Sequence, residues 1–193
     1  MAAAIRLAQA TDAGQCASIY APYVQESVIS FEEHPPTDRE MSHRITQALE
    51  EYPWLVYEQD GENLLGYAYG SQHSTRAAYR WSVDVSVYVA QEHHRKGVGR
   101  ALYRALFEKL TLQGYYGVFA GIALPNPGSV GLHESFGFHH IGTFHQVGFK
   151  LGTWVDIGWW QMDLQPRVPH PAQPKAVNEI VPGESCLLPH SPG

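Results

Sequence analysis

Cysteine is nearly absent: the chain has two in 193 residues, Cys16 in a stretch with helical character and Cys186 in a proline-rich tail. That excludes a disulfide framework and a zinc knuckle. Positive charge is also scarce, with 13 Lys and Arg against 19 Asp and Glu and a formal net charge of -6. Nucleic acid is thereby excluded as the main partner, because a phosphate backbone demands clustered Lys and Arg. No apolar run approaches the ~20 residues that span a bilayer. The start, "MAAAIRLAQATDAG", lacks the charged region and long apolar run of a signal peptide, so a cytoplasmic protein without membrane association is expected. The 11 histidines include His93-His94 and His139-His140, but none has the H-E-x-x-H spacing of a metal ligand pair, and no metal is expected. Internal repeats are absent as well.

What is there suits a globular chain of one domain, with 44% apolar and 17% charged residues. A short strand near Ala4 to Ala8 leads to Thr11, an N-cap for a helix over 12–26. Thr37 and Glu40 form the capping box of a second helix. "WLVYEQDGENLLGYAYGS" reads as two strands about a turn at Asp60-Gly61. In "RWSVDVSVYVA", Val83, Val85, Val87 and Val89 share one face and Ser82, Asp84, Ser86 and Tyr88 the other. After Gly97 the period becomes helical, with Val98, Ala101, Leu102, Ala105, Leu106 and Leu110 on one stripe and Gly114 as the stop. "YYGVFAGIAL" is a further strand, "PNPGSVGLHESFGF" a short helix closed by Gly137, and two aromatic-rich strands follow near 142–150 and 153–164. From Pro166 onward the composition is proline-rich and aperiodic, which predicts an extended or disordered tail over 166–193.

The stretch "HHRKGVGRALY" follows a strand and opens a helix. A helix start presents unpaired amides and the positive end of the dipole, so it binds anions. Glycines at 97 and 99 let the backbone approach a phosphate, and Lys96 and Arg100 add charge. By spacing alone the same residues also suit a tight strand-to-helix turn. The third glycine of a dinucleotide fingerprint and the Lys-Ser/Thr of a Walker loop are missing.

An acid-bearing strand, this loop, a helix, another strand and "PNPGSVGLHESFGF" together resemble the GNAT superfamily of acetyl-coenzyme A-dependent N-acetyltransferases. There the coenzyme A pyrophosphate sits on a Gln/Arg-x-x-Gly-x-Gly/Ala loop, which His94, Arg95, Lys96, Gly97, Val98 and Gly99 match, with His94 at the Gln/Arg position. Asn126 matches an asparagine that meets the coenzyme A arm, and "LHESFGF" matches the closing segment L-Y-E-K-x-G-F. "YPWLV", "AYRWSVDVSVYV", "LPNPGSV" and "VGFKLGTWVDIGWWQMDL" are similar to blocks of the phosphinothricin acetyltransferases and their methionine-sulfone and arsinothricin relatives, over roughly residues 4 to 165.

The resemblance implies an α/β fold: one domain over 1–165 with a mixed, mostly antiparallel central sheet flanked by helices and splayed between the fourth and fifth strands. Acetyl-CoA would lie in that splay, its pyrophosphate on residues 94 to 100 and its arm against Val87, Tyr88 and Val89. The implied reaction is direct transfer to the α-amine of a small acidic amino acid or analogue, of phosphinothricin, arsinothricin or methionine sulfone type, as in arsinothricin resistance and other detoxification. A homodimer is implied too.

Acyl transfer from a thioester to an amine needs a neutral amine, a stabilised oxyanion and a protonated leaving thiolate. Asp84 lies on the polar face of its strand and matches the family's catalytic glutamate, one methylene shorter. Its other reading is an aspartate that only bonds neighbouring backbone. His133 stands where the superfamily carries a tyrosine acid and the phosphinothricin branch a histidine, so it would protonate the thiolate or share the work of the base. Its other reading is a histidine packed beside Phe136. The oxyanion donor implied is a backbone amide of 87–89. For the substrate's anionic groups the sequence offers Arg76, which coincides with a family arginine, then Arg80 and Lys150, with Tyr79 and Trp154 as walls. Each of these equally reads as a surface charge or a packed aromatic. A protein or peptide N-acetyltransferase with a wider, more acidic cleft stays open, as does a non-catalytic coenzyme A sensor.

Overall fold

In the computed structural model, which describes residues 3–180 and 186–187, one sheet runs through the molecule in the strand order β6-β7-β5-β4-β3-β2-β1-β8. The strands are β1 (Ala3–Leu7), β2 (Trp54–Gln59), β3 (Asn63–Gln72), β4 (Ser82–Val89), β5 (Gly117–Leu124), β6 (His139–Lys150), β7 (Thr153–Asp163) and the dipeptide β8 (Cys186–Leu187). The helices are α1 (Ala13–Gln25), α2 (Asp38–Glu51), α3 (Val98–Gln113) and α4 (Pro127–Glu134). Every strand pairing is antiparallel except β4 with β5. No helix among the described residues is long and apolar enough to cross a membrane.

Period-two alternation assigns the strand residues to two cores. Leu55, Ala68, Val83, Val85, Val118 and Ile122 pack with Leu102, Tyr103, Leu106 and Leu110 of α3. Trp54, Val56 and Tyr67 pack with Cys16, Ile19, Met41 and Ile45 of α1 and α2. The polar face of β4 therefore looks toward the α1–α2 side. Gly66 of β3 makes this hairpin close: a Cβ there would lie 2.7 Å from the Tyr88 carbonyl oxygen.

Local signals act as their chemistry dictates in α2, where the Thr37 hydroxyl accepts from Glu40 N–H and the Glu40 carboxylate accepts from Thr37 N–H. The start of α1 differs from the sequence expectation. Thr11 lies within a 3-10 turn, Ala10–Asp12, and the helix begins at Ala13. The reason is Asp12, whose carboxylate accepts from Gln9 N–H and pairs with Arg6 at 2.7 Å, tightening the turn one residue further.

Residues 166–180, for which an extended or disordered course is expected, run as an extended segment held to the domain. Trp81 Nε1 donates to the Ala172 carbonyl, Lys175 N–H to the Gln113 carbonyl, and Gln113 Nε2 to the Lys175 carbonyl. Val177 is buried. The rest of that tail lies outside the described residues, apart from β8.

Candidate active site

The parallel pairing of β4 with β5 ends after three residues, Ser82↔Gly117, Val83↔Val118 and Asp84↔Phe119, and beyond it the strands part. Ala90 N–H donates to the Leu65 carbonyl of β3. By the alternation of an antiparallel ladder, the amides and carbonyls of Val85, Val87 and Val89 then turn the other way, into the splay. A narrow cleft of ≈ 70 Å³ opens there, lined by Val87, Tyr88, Gly121, Asn126 and His133 among others. Inward-turned amides in a sheet gap suit an amide-bearing chain that takes the place of the missing strand. Of these carbonyls, that of Val89 accepts from the Tyr23 hydroxyl at 2.6 Å and from His94 Nε2 at 3.0 Å. The His94 ring is therefore bound to the strand end and to α1.

The α3 N-terminus stands at the outer end of this cleft. Gly97 is its N-cap at φ 84, and Arg95 before it also has a positive φ of 57. No side chain caps the helix, so the first-turn amides of Val98, Gly99 and Arg100 keep the unpaired donors of any helix start. A Cβ on Gly97 would meet open space, and Arg95 and Lys96 are exposed on the same loop. This fits a pyrophosphate: open donors, the positive end of the dipole and two cations that, among the described residues, have no ion-pair partner. Gly99 faces inward, where its Cβ would touch Leu132 of α4 and Val89 and Val87 of β4. Arg100 lies over the Phe136 ring at 5.4 Å. Asn126 caps α4, its side-chain oxygen accepting from Ser129 N–H at 3.1 Å.

At the crotch, where β4 and β5 separate, Asp84 Oδ1 lies 2.6 Å from Nδ1 of His73. His73 follows β3 and falls on the Asp84 face, because Ser71 is the register partner of Asp84. Phe119 stacks on the imidazole at 4.3 Å, and the Tyr79 and Trp159 rings meet it edge-on. Burial pushes the Asp84 carboxyl above its ordinary value, and the His73 hydrogen bond opposes that push.

His133 lies in the cleft with 3% of its surface exposed. Its Nδ1 is 2.8 Å from the Ser129 carbonyl, which can only accept, so Nδ1 carries the proton. Nε2 then accepts from the Tyr103 hydroxyl at 3.0 Å. Burial pushes this imidazole below its ordinary value, against the Ser129 carbonyl. The neutral ring is thus tied at both nitrogens, and it lines the cleft together with Tyr103.

The residues expected to meet substrate divide into two places. Arg76, Tyr79 and Arg80 line one recess of ≈ 490 Å³ with Gln72, Ser74 and Gln173. Among the described residues Arg76 has no ion-pair partner, whereas the Arg80 guanidinium donates to the Ala77 carbonyl and to Gln173 Oε1. Lys150 and Trp154 lie elsewhere, on the β6–β7 hairpin. Lys150 Nζ donates to the Val24 and Ser30 carbonyls, and Trp154 is exposed beside Phe149. Four site residues escaped the sequence reading: His73, Tyr103, Ser129 and Trp159. Trp159 stands across from Gly121 and holds a buried indole N–H with no partner among the described residues. Only the register of β3 on β4 could have singled out His73, and Tyr103 is one more aromatic on an apolar helix stripe.

Comparison with known proteins agrees with this geometry. A family model described as an acetyltransferase (GNAT) domain matches residues 5–159. The phosphinothricin N-acetyltransferase of Streptomyces viridochromogenes is 39% identical over 171 residues, covering 88% of this chain and 93% of that one. An L-methionine sulfoximine/L-methionine sulfone acetyltransferase of Pseudomonas aeruginosa is 34% identical over 170 residues, covering 86% and 97%. The crystal structure of a GNAT superfamily phosphinothricin acetyltransferase from Sinorhizobium meliloti in complex with AcCoA superposes with a TM-score of 0.83 at 33% identity, covering 94% of this chain and 97% of that one.

Proposed function

The chain belongs to the GNAT acetyltransferases, and from that premise we propose that it moves the acetyl group of acetyl-CoA onto the α-amine of a small acidic amino acid or analogue, of phosphinothricin, methionine sulfone or arsinothricin type. The observation that carries the reading is the splay, which joins the open α3 N-terminus to the Asp84–His73 pair at the crotch. Bound acetyl-CoA supplies an activated thioester. Gly97, Val98 and Gly99, with Arg95, Lys96 and Arg100, hold its pyrophosphate; the inward amides of Val87 and Val89 hold its arm beside Tyr88, with Asn126 and His94 at the cleft's margins.

The Asp84–His73 pair takes a proton from the amine, a Val87 or Val89 amide faces the developing oxyanion, and the Tyr103 hydroxyl, turning from His133 Nε2 to the thiolate, gives it a proton. Transfer is direct. Cys16 is no nucleophile, since it is fully buried in the α1–α2 core and burial pushes its thiol up to about 12. Arg76 and the Trp159 indole N–H serve the substrate's anionic groups, with Tyr79 as a wall and Arg80 beside them; Lys150 and Trp154, on the β6–β7 hairpin, stand apart from that site. The recess assigned to the acceptor carries Arg76, Arg80 and Lys175 against Glu51 and Glu179, a balance that favours an anionic amino acid over a basic peptide. A sensor would not need the acid-base pair at the crotch. The protein is expected to act in the cytoplasm as a homodimer, in detoxification.

A thiol-release assay over phosphinothricin, methionine sulfone, arsinothricin and a lysine peptide tests this. Release with one or more of the amino acids and none with the peptide is expected. Tight acetyl-CoA binding without release for any amine would overturn the enzyme reading in favour of a sensor.

A further inference from the structure

We infer that the group that takes the amine's proton is Nε2 of His73, and that Asp84 is a positioning residue that holds the ring. The inference deepens the acetyl-transfer reading above and rests on it. The 2.6 Å contact between Asp84 Oδ1 and His73 Nδ1 commits that carboxylate oxygen to the ring and the Nδ1 proton to the carboxylate. Nε2 is left with its lone pair and, among the described residues, has no hydrogen-bond partner. The aromatic rings of Phe119, Tyr79 and Trp159 surround the imidazole from three elements and fix its plane. Both side chains still reach solvent, at 22% exposed for His73 and 28% for Asp84.

Two features of the sequence fit together on this view. The aspartate at 84 is a methylene shorter than the glutamate of the resemblance, and the histidine at 73 projects from the neighbouring strand's end into that gap. A carboxylate behind an imidazole sets its tautomer and stabilises the imidazolium that forms, while the imidazole is far closer in basicity to an amine than a carboxylate is.

The substrate's ammonium first loses one proton to water. As nitrogen then bonds to the acetyl carbonyl carbon, its second proton moves to His73 Nε2, and the carbon–sulfur bond breaks with its electron pair on sulfur. The thiolate is protonated through the Tyr103 hydroxyl; the proton that His73 releases to water balances the one that Tyr103 draws back.

The test compares wild type, His73→Ala and Asp84→Asn as full chains, by thiol release across pH and by acetyl-CoA calorimetry. The titratable groups touching His73 are Asp84 from β4 and Tyr79 from the connecting turn; Phe119 and Trp159 carry no charge. His73→Ala should lower kcat about 100-fold or more, leave the acetyl-CoA Kd unchanged, and abolish the acidic limb of the kcat/KM profile. Added imidazole should restore part of that rate and none of the rate lost in Asp84→Asn. A His73→Ala enzyme that keeps the wild-type acidic limb overturns the assignment and leaves Asp84 as the direct base. If wild type releases no thiol with any amine, the acetylation reading itself falls, and this assignment with it. Should His73→Ala fail to fold, the imidazole nitrogen spectrum of the wild type decides: Nδ1 protonated and Nε2 bare is expected, and the opposite tautomer overturns the inference.

Discussion

Tyr103 and His133 bring a hydroxyl and an imidazole within 3.0 Å of each other inside the α3-side core, and the Ser129 carbonyl closes the chain of hydrogen bonds. With both ring nitrogens partnered, burial of the neutral form is tolerable, while a second proton would bring a charge into a site that excludes water. Burial therefore lowers this histidine below its ordinary value of 6.5. The linkage has a definite sign. Above pH 6.5 neither state binds the proton and the stabilisation is complete. As pH falls below that value, the unfolded chain takes up a proton that the folded chain refuses, and stability declines until the folded value is passed. Thermal midpoints measured across this range should fall on acidification in wild type and fall less in His133→Gln. An equal decline in both would place the acid sensitivity elsewhere. Asp84 and His133 became candidates in the sequence through the family resemblance, which matches "RWSVDVSVYVA" and "LHESFGF" to blocks that carry an acid and a histidine or tyrosine. His73 did not, since its meaning depends on a cross-strand register that no local pattern encodes.

The loop from His94 to Arg100 shows how an element can be readable while its side chains are not. The onset of period 3.6 after Gly97 fixes where α3 begins, and the helix does start at Val98, whereas β4 has already ended at Val89. What the sequence left open was the direction of His94, which turns to Tyr23 and the Val89 carbonyl, because α1 packs against that strand end only in the folded chain. Gly97 and Gly99 also separate in role. Gly97 holds a left-handed φ of 84 with open space around it, so its requirement is conformational. Gly99 faces Leu132 at ordinary contact distance, and a methyl there needs no rearrangement. Gly97→Ala should thus cost about 1–2 kcal/mol of backbone strain and weaken acetyl-CoA binding by roughly tenfold, as the chain shifts its amides to relieve it. Gly99→Ala should change affinity less. Calorimetric titration of acetyl-CoA into both variants checks the order, and a reversed order would mean that close packing, not the left-handed turn, shapes the cradle. The Thr37–Glu40 capping box was readable because it is wholly local. The start of α1 was not, since Arg6 on β1 draws Asp12 into a tighter turn.

At the scale of the whole molecule the two ends of the sheet are unlike. At one end the dipeptide β8 pairs with β1, and residues 166–180 strap the foot of β4 and the end of α3, where Gln113 Nε2 donates to the Glu51 and Lys175 carbonyls. At the other, β6 is the outermost strand, twelve residues long, and its hairpin with β7 exposes Ile141, Phe144, Val147, Phe149, Leu151 and Trp154. Phe31 lies on Gly148, and Lys150 Nζ donates to the Val24 and Ser30 carbonyls, which ties this arm to α1 and the segment after it. A long apolar edge strand left to water invites pairing with another strand, and natural sheets blunt such edges with charge or cover. Lys150 is the one charged residue in β6, and it faces inward to backbone carbonyls. The occupant that fits the proposed homodimer is the same arm of a second copy, since two identical apolar faces related by a two-fold axis bury each other. Sedimentation of the wild-type chain should therefore give a dimer. Phe149→Lys combined with Trp154→Glu, both fully on the exposed face, should shift it to monomer without loss of acetyl-CoA binding. A wild-type chain that sediments as a monomer at micromolar concentration would mean that this face is covered by something other than its own copy.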